Sequence, residues 1–172
     1  KPASDEMTVA TQNLWRLFDD VDDGGQVLAS DQYQLKLGKL ARQSVEVLQL
    51  PDIVAVQEVE SRDVLAALAA TVAGQTGKPA YQAIVVEGQD PGGIDVGFLV
   101  RPDWKIVAVT PLLATLRVDG KPLFDRPPLH LVVQGSNGSR LELVNVHLKS
   151  MYGSDHPGKV EKIALKRAQQ AS

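Results

Sequence analysis

The chain has 172 residues, of which 44% are hydrophobic and 23% are charged, and its formal net charge is −3. These values are typical of a globular domain, and the lack of cysteine excludes disulfides and zinc–thiolate sites. The weakly acidic balance gives no sign of a basic nucleic-acid-binding domain, although a metal ion and a local basic rim can hold phosphate on an acidic protein. No apolar run in the sequence reaches membrane-spanning length.

The first predicted element is a strand. The apolar run at residues 7–13 ends on Asn13, and an acidic stretch follows it. A solvated loop is the plain interpretation of that stretch. Asp20, Asp22 and Gly25 also have a faint likeness to a calcium-binding loop, but the full ligand spacing and the closing Glu are missing. Ca²⁺ is therefore kept as an alternative cation for this protein.

Two helices are predicted on either side of the next strand. One apolar stripe at helical spacing predicts a helix over 31–50. Ser61 is a suitable N-cap for a second helix, which Gly74 and Gly77-Lys78-Pro79 are expected to end. The strand between them, 52–58, is continuously apolar until it approaches its end at Glu58. Such a run indicates that both faces of the strand are covered.

From residue 80 onwards the pattern changes to short strands joined by turns. The strands are predicted at 80–87, 94–101, 105–115, 128–134 and 140–147. Turn residues at 90–93 and 135–138 are typical of hairpin connections, and a third helix is predicted at 159–171. Early helices followed by antiparallel strands predict an α/β fold with a mixed, mostly antiparallel sheet and helices on one face.

Polar side chains close three of the predicted strands, at Asn13, Glu58 and His147. An amide, a carboxylate and an imidazole at one rim of a sheet could hold a hard cation such as Mg²⁺ or Mn²⁺ and donate a proton to a phosphate ester. Each residue also has a plainer interpretation: a turn asparagine, a glutamate paired with Arg or Lys, and a structural histidine.

Five segments containing these residues resemble the endonuclease/exonuclease/phosphatase superfamily, the metal-dependent phosphodiesterases related to pancreatic-type deoxyribonuclease. The segments are TQNLW (11–15), DIVAVQEV (52–59), VGFLVRP (96–102), RPPL (126–129) and NVHLKS (145–150). They follow the order of the family over nearly the whole chain, and they look nearest to secreted bacterial nucleases. The resemblance implies metal-dependent hydrolysis of DNA or RNA, with Glu58 as a metal ligand, Asn13 in the metal neighbourhood, and a secreted or periplasmic location. Phosphomonoesters, phospholipid head groups and a non-catalytic fragment or binding module are the alternatives.

The resemblance also implies roles for residues around this rim. His147 would be the acid, and Asp95 would hydrogen-bond the His147 imidazole and fix its tautomer. Asn145 would orient a group across the rim through its amide, and Arg126 would clamp phosphate with its planar guanidinium. Lys149 would add positive charge at the same rim.

Two later motifs of the family are not matched. No Gly-Asp-x-Asn occurs, and Ser154-Asp155-His156 spells the terminal motif only a short loop after His147, so His156 is interpreted as a surface residue. The resemblance therefore implies that residues 1–172 form one domain, the incomplete N-terminal half of a four-layer α/β/β/α sandwich. We expect its sheet to have an apolar face that the missing C-terminal half or a second chain would cover.

Overall fold

A computed structural model describes residues 6–22, 25–150 and 157–172 of the chain. Its elements, in chain order, are β1 (Val9–Leu17), α1 (Ser30–Arg42), β2 (Ile53–Val59), α2 (Arg62–Thr76), β3 (Gln82–Val85), β4 (Asp95–Val100), β5 (Lys105–Pro111), β6 (Arg117–Val118), β7 (Lys121–Pro122), β8 (Leu129–Gln134), β9 (Arg140–Asn145) and α3 (Pro157–Ala171). A π-helical turn at Gln43–Val47 continues α1. Within the described ranges, no helix combines the length and the apolar character needed to cross a bilayer.

The strands form two main sheets. The first has the order β1-β2-β4-β3, in which β1 runs parallel to β2 and the other neighbours are antiparallel. The second has the order β5-β8-β9 and is antiparallel throughout, while β6 and β7 form a separate short hairpin. The predicted α/β class with mostly antiparallel pairing is confirmed.

Helices α1 and α2 cover one face of the first sheet. Their apolar stripes pack on alternate residues of the strands, such as Val54 and Val56 of β2, in one buried cluster. The predicted cap of α2 is confirmed, because the Ser61 hydroxyl accepts a hydrogen bond from the Val64 N–H at 3.2 Å. The helix continues through Gly74, which was predicted to help end it, and ends at Gly77, whose φ of 66° lies in the left-handed region that glycine enters without strain.

The opposite face of the first sheet packs against the second sheet. Ile53, Val96 and Phe98 on one side meet Leu129 and Leu131 on the other in a second buried cluster. The expectation that this apolar face lacks a cover within the chain was therefore wrong. A hairpin strand with alternating apolar residues can extend an existing sheet or begin a second sheet that packs over it. The alternation is the same in both cases, so the sequence pattern does not separate them.

One side of this sandwich is open. Strands β1 and β9 lie at the edges of their sheets, so each has an unpaired backbone edge within the described chain. A groove of about 530 Å³ runs between them, lined by residues of β1, β2 and β9 together with Val146 and His147. The predicted active-site rim lies at one end of this open side.

Candidate active site at the ends of strands β1, β2 and β9

Glu58 occupies a bulge in β2. Gln57 pairs with Val96 of β4 and Val59 pairs with Asp95, so Glu58 is an extra residue between two regular pairs. Its φ of 62° lies in the left-handed region, which costs a non-glycine residue roughly 1–3 kcal/mol. Bulges of this kind redirect a side chain at the end of a strand, and they occur often beside active sites.

A second irregularity lies opposite, in β1. Asn13 pairs with Gln57, but the next matched pair is Leu17 with Val59. Trp15 and Arg16 between them have φ values of 54° and 56°. The strand predicted at 7–13 therefore continues through an irregular segment to Leu17.

These two irregular segments meet at the Glu58 carboxylate. Asn13 Nδ2 donates a hydrogen bond to Glu58 Oε1 at 2.9 Å, and the backbone N–H of Arg16 donates to Glu58 Oε2 at 3.0 Å. His147 Nε2 lies 3.7 Å from Glu58 Oε1. The three strand-end side chains that the sequence singled out are thus brought together. The Glu58 side chain stays 22% exposed, so the carboxylate can reach a ligand in the cleft.

The environment of His147 favours a neutral imidazole. Burial lowers the pKa of His147, the Arg126 guanidinium lowers it further, and the Glu58 and Asp90 carboxylates oppose these effects. Nδ1 is buried and finds no hydrogen-bond partner among the residues that the structure describes. If the neutral ring carries its proton on Nε2, the unpaired Nδ1 is an acceptor rather than a donor. The Nε2–H then faces the Glu58 side of the cleft. At neutral pH this residue is better suited to hydrogen-bond an oxygen than to release a proton.

Arg126 presents a nearly buried guanidinium to the same cleft. Its side chain is 8% exposed, with Nη1 3.3 Å from Asp90 Oδ2 and Nη2 donating to the Leu148 carbonyl at 3.4 Å. Its Nε has no partner within the described part of the chain. Because a buried guanidinium with an unused donor is costly, a phosphate oxygen would be a favourable partner here.

Asp95 faces a different neighbour from the one predicted. Its Oδ1 accepts a hydrogen bond from the Gly88 N–H at 2.8 Å, and the described residues show no hydrogen bond between Asp95 and the His147 imidazole. The predicted tautomer-fixing contact was therefore wrong. Asp95 pairs with Val59 just past the bulge, and this register turns its carboxylate toward the loop that contains Gly88. Burial raises the pKa of Asp95 to about 6.

Asn145 joins the two sheets beside the site. Its side chain is buried, and Nδ2 donates to the carbonyls of Val56 and Gly97 at 2.7 and 2.9 Å. Its Oδ1 accepts from Gln57 Nε2 at 2.8 Å. Asn145 thus fixes the end of β9 on the first sheet, two residues before His147, which makes it a positioning residue.

The side chains surround a cleft of about 500 Å³. Its polar lining includes Arg16, Glu58, Asp90, Asp125, Arg126, His147 and Lys149. Sequence reasoning overlooked Arg16, Asp90 and Asp125. Asp90 had a signal in its Asp-Pro-Gly-Gly turn, next to a candidate strand. Arg16 had none, because only the irregular segment of β1 brings its backbone N–H to Glu58.

The side chains at this cleft supply some of the oxygen ligands that Mg²⁺ needs. No group of three or more His, Cys, Asp or Glu side chains suited to a metal ion is found within residues 6–22, 25–150 and 157–172. Mg²⁺, however, keeps several waters and is commonly held by one or two protein carboxylates plus substrate phosphates. Glu58 can supply one such carboxylate, with Asn13 and Arg16 fixing its orientation.

Two other predictions concern segments that the structure covers incompletely. The candidate calcium loop includes Asp23 and Gly24, which lie outside the described residues, so Ca²⁺ binding there stays a prediction. Ser154, Asp155 and His156 also lie outside the described residues, and the interpretation of His156 as a surface residue stays a prediction.

Several solved structures share the fold of this chain but little of its sequence. Truncated TDP2 from Caenorhabditis elegans aligns with a TM-score of 0.53 and 17% identity, over 96% of this chain and 56% of that one. A β-hairpin deletion mutant of β toxin from Staphylococcus aureus aligns with a TM-score of 0.53 and 14% identity, over 94% of this chain and 58% of that one. ANGEL2, described as a 2′,3′-cyclic phosphatase in complex with adenosine-2′,3′-vanadate, aligns with a TM-score of 0.55 and 15% identity, over 94% of this chain and 45% of that one. The chain thus spans about half the length of these structures.

The family itself is shown by the sequence. No curated protein matches the chain significantly. The profile of the Endonuclease/Exonuclease/phosphatase family matches residues 8–171, which include every strand and helix described above. The match spans both irregular segments and the strand ends at which Asn13, Glu58 and His147 meet. The chain belongs to the endonuclease/exonuclease/phosphatase family.

Proposed function

We propose that this protein hydrolyses phosphodiesters in a nucleic acid with Mg²⁺ as its cofactor. The observation that carries the proposal is the Glu58 carboxylate, which Asn13 and the Arg16 N–H orient beside His147. The strained backbone at Glu58 supports the same conclusion, because strain of this kind clusters at functional sites. Enzymes of the family commonly use divalent metal ions.

Several residues around the cleft would bind the phosphate, each through a different interaction. Arg126 would donate to phosphate oxygens through its fork, and Lys149 would add positive charge. Neutral His147 would donate its Nε2 hydrogen bond to a phosphoryl or leaving oxygen and stabilise the charge that develops there. Mg²⁺ held at Glu58 would supply Lewis-acid polarisation of the phosphoryl group. Asn13 and Arg16 would keep the Glu58 carboxylate in place through the reaction.

We propose in addition that a further protein segment covers the open side of the sandwich. The support is that β1 and β9 have unpaired edges beside a groove of about 530 Å³, and that the chain spans about half the length of the structures it matches. The segment would come from the remainder of the gene product or from a second chain. It would also supply the base for the attacking water, because Asp90 and Asp125 of the cleft are paired with Arg126 and Lys166.

The test uses the full-length gene product with single-stranded DNA, RNA and bis(p-nitrophenyl) phosphate, and with a phosphomonoester and phospholipid vesicles as the alternative substrates. We expect hydrolysis with Mg²⁺ and its loss in EDTA, with restoration when Mg²⁺ is added back. Activity on a phosphomonoester alone, or on phospholipid vesicles alone, would replace the nucleic-acid assignment. Hydrolysis that persists at full rate in EDTA would contradict the role of the metal.

A further inference from the structure

A large aromatic side chain, that of Trp15, is exposed to solvent next to the candidate active site. Trp15 is 81% exposed, the highest value among the large exposed hydrophobic residues of the described chain. Two residues close to it in sequence reach the Glu58 carboxylate, Asn13 by its side chain and Arg16 by its backbone N–H. The indole is therefore placed within a few residues of the group that carries the proposed chemistry.

Three contacts hold the backbone of this tryptophan in its unusual conformation. The Trp15 N–H donates to Asn13 Oδ1 at 2.7 Å, and Lys36 Nζ donates to the carbonyls of Trp15 and Arg16 at 2.7 and 2.6 Å. Burial lowers the pKa of Lys36, so an ammonium group has been placed in a partly desolvated position to make these contacts. Two successive left-handed residues persist only where their surroundings hold them in this way. An exposed indole on a fixed backbone is pre-organised for a ligand.

Trp15 is followed in sequence by a cationic residue, Arg16. The Arg16 guanidinium lies over the Phe18 ring, 5.3 Å from its centroid. Its Nη2 donates a hydrogen bond to Gln26 Oε1 at 2.9 Å, which helps to orient it. Arg16 also lines the cleft that contains Glu58 and His147. The same cleft also carries the basic side chains Arg126 and Lys149. An aromatic face beside basic side chains is a combination with which proteins bind single-stranded nucleic acids, because bases stack on the ring while the cations hold phosphates.

We propose that Trp15 is a stacking platform for an unpaired base of a single-stranded nucleic acid. The phosphate adjoining that base would lie in the cleft between Glu58 and Arg126. This assignment rests on the proposed function, since it names the form of nucleic acid that the site takes. The stacking role would also account for the irregular segment of β1. The same turn that directs the Arg16 N–H to Glu58 directs the Trp15 indole outward.

The first test follows the fluorescence of Trp15 directly. Residues 1–172 contain two tryptophans, so Trp104→Phe, combined with Phe in place of any tryptophan in the remainder of the gene product, leaves Trp15 as the single tryptophan. The full-length protein in Mg²⁺ is titrated with an octathymidylate whose phosphorothioate linkages resist hydrolysis, and with an abasic phosphorothioate octamer of equal charge. We expect saturable quenching by octathymidylate and little change with the abasic octamer. Equal quenching by both oligomers, or none by octathymidylate, would overturn the proposal.

The second test compares affinities without relying on the Trp104 variant. Anisotropy of a labelled octathymidylate is measured with wild type, Trp15→Ala, Trp15→Phe and the control Val47→Ala, an exposed apolar residue near the opposite end of the first sheet. We expect about ten-fold weaker binding for Trp15→Ala and near-normal binding for Trp15→Phe and Val47→Ala. Unchanged binding by Trp15→Ala would contradict the stacking role.

A third measurement separates this inference from the proposed function. Hydrolysis of base-bearing and abasic single strands is compared in wild type, Trp15→Ala and Glu58→Gln. We expect Glu58→Gln to abolish both reactions and Trp15→Ala to lower kcat/KM only for the base-bearing strand. If both reactions need Glu58 and Trp15→Ala affects them equally, the hydrolase survives and the stacking platform fails. A blue shift of Trp15 with phosphatidylcholine vesicles, without quenching by octathymidylate, would assign the indole to a membrane and also overturn the proposal.

Discussion

At the scale of single residues, the cleft depends on how the Glu58 carboxylate is held. Asn13 has two tasks: its Nδ2 binds Glu58 Oε1 and its Oδ1 binds the Trp15 N–H. Neighbours that orient a metal-binding side chain commonly matter nearly as much as the ligand itself. Because Glu58 is the one carboxylate proposed to hold the metal ion, few other protein ligands could compensate for a loss of its orientation.

Asn13→Ala should therefore weaken the response to Mg²⁺. We expect the Mg²⁺ concentration for half-maximal hydrolysis to rise about 10–100-fold, the usual cost of removing such an orienting contact. The control is Thr11→Ala on the same strand, whose hydroxyl contacts Gln57 rather than Glu58. A Mg²⁺ titration that coincides for wild type and Asn13→Ala would show that Glu58 needs no orientation from this amide.

Asp95 should make the protein less stable as the pH rises. Burial raises the pKa of Asp95 from 3.8 to about 6 in the folded chain. Between about pH 4 and pH 6 the unfolded chain therefore binds fewer protons than the folded one, so the free energy of unfolding falls across this window. The loss is complete above the folded pKa and amounts to roughly 2–3 kcal/mol.

Asp95→Asn removes this titration while its amide oxygen can still accept from the Gly88 N–H. We expect the variant to gain stability over wild type progressively from pH 4 to pH 7, by roughly 2–3 kcal/mol at the upper end. Urea unfolding of both proteins at several pH values measures the difference. Parallel curves over the whole range would mean that the carboxyl does not titrate in this window.

At the scale of elements, β4 depends on a close approach that only glycine allows. A Cβ at Gly97 would lie 2.4 Å from the Ile84 carbonyl oxygen of β3 and 3.2 Å from Leu65 of α2. Gly97→Ala should cost about 3 kcal/mol, because the β3 backbone must shift and the packed Val85 and Leu65 side chains must adjust. Gly74→Ala in α2 is the matched control: open space surrounds its Cβ position, and we expect a gain of about 0.5–1 kcal/mol. Denaturant midpoints that change equally in the two variants would refute the steric account.

The elements also show where sequence reasoning succeeds. The cap at Ser61 and the end at Gly77 follow from local chemistry, and each is found where the sequence predicts it. The bulge at Glu58 and the left-handed pair at Trp15 and Arg16 depend on contacts between segments more than 40 residues apart, such as the Arg16 N–H with Glu58. No local pattern encodes such contacts, so the strand ends were predictable and their exact course was not.

At the scale of the whole molecule, the described chain is a two-sheet sandwich with an open side between the edges of β1 and β9. The assignment of β5, β8 and β9 to a second sheet was not predictable from alternation, because either arrangement buries the same residues. Asn145 shows how the two sheets are joined at the site: its amide binds the carbonyls of Val56 and Gly97 across the interface. The position of His147 is thus tied to the packing of the sandwich.

The open side bears on how much chemistry the described chain can perform. The edges of β1 and β9 and the groove between them adjoin the rim where Asn145 and His147 lie. A segment that pairs with either edge would bring its own side chains to the cleft. Activity is therefore best measured on the full-length gene product, in which any such segment is present.

The central claim is that Glu58 is the carboxylate through which this family member acts on a phosphodiester. The most direct test is Mg²⁺-dependent hydrolysis of single-stranded DNA by full-length wild type, Glu58→Gln and the control Glu142→Gln, whose carboxylate pairs with His130 on the second sheet. We expect Glu58→Gln to lose activity by several orders of magnitude at saturating Mg²⁺, since several kcal/mol of charge stabilisation are removed, while Glu142→Gln keeps it. Near-normal turnover by Glu58→Gln would contradict the account.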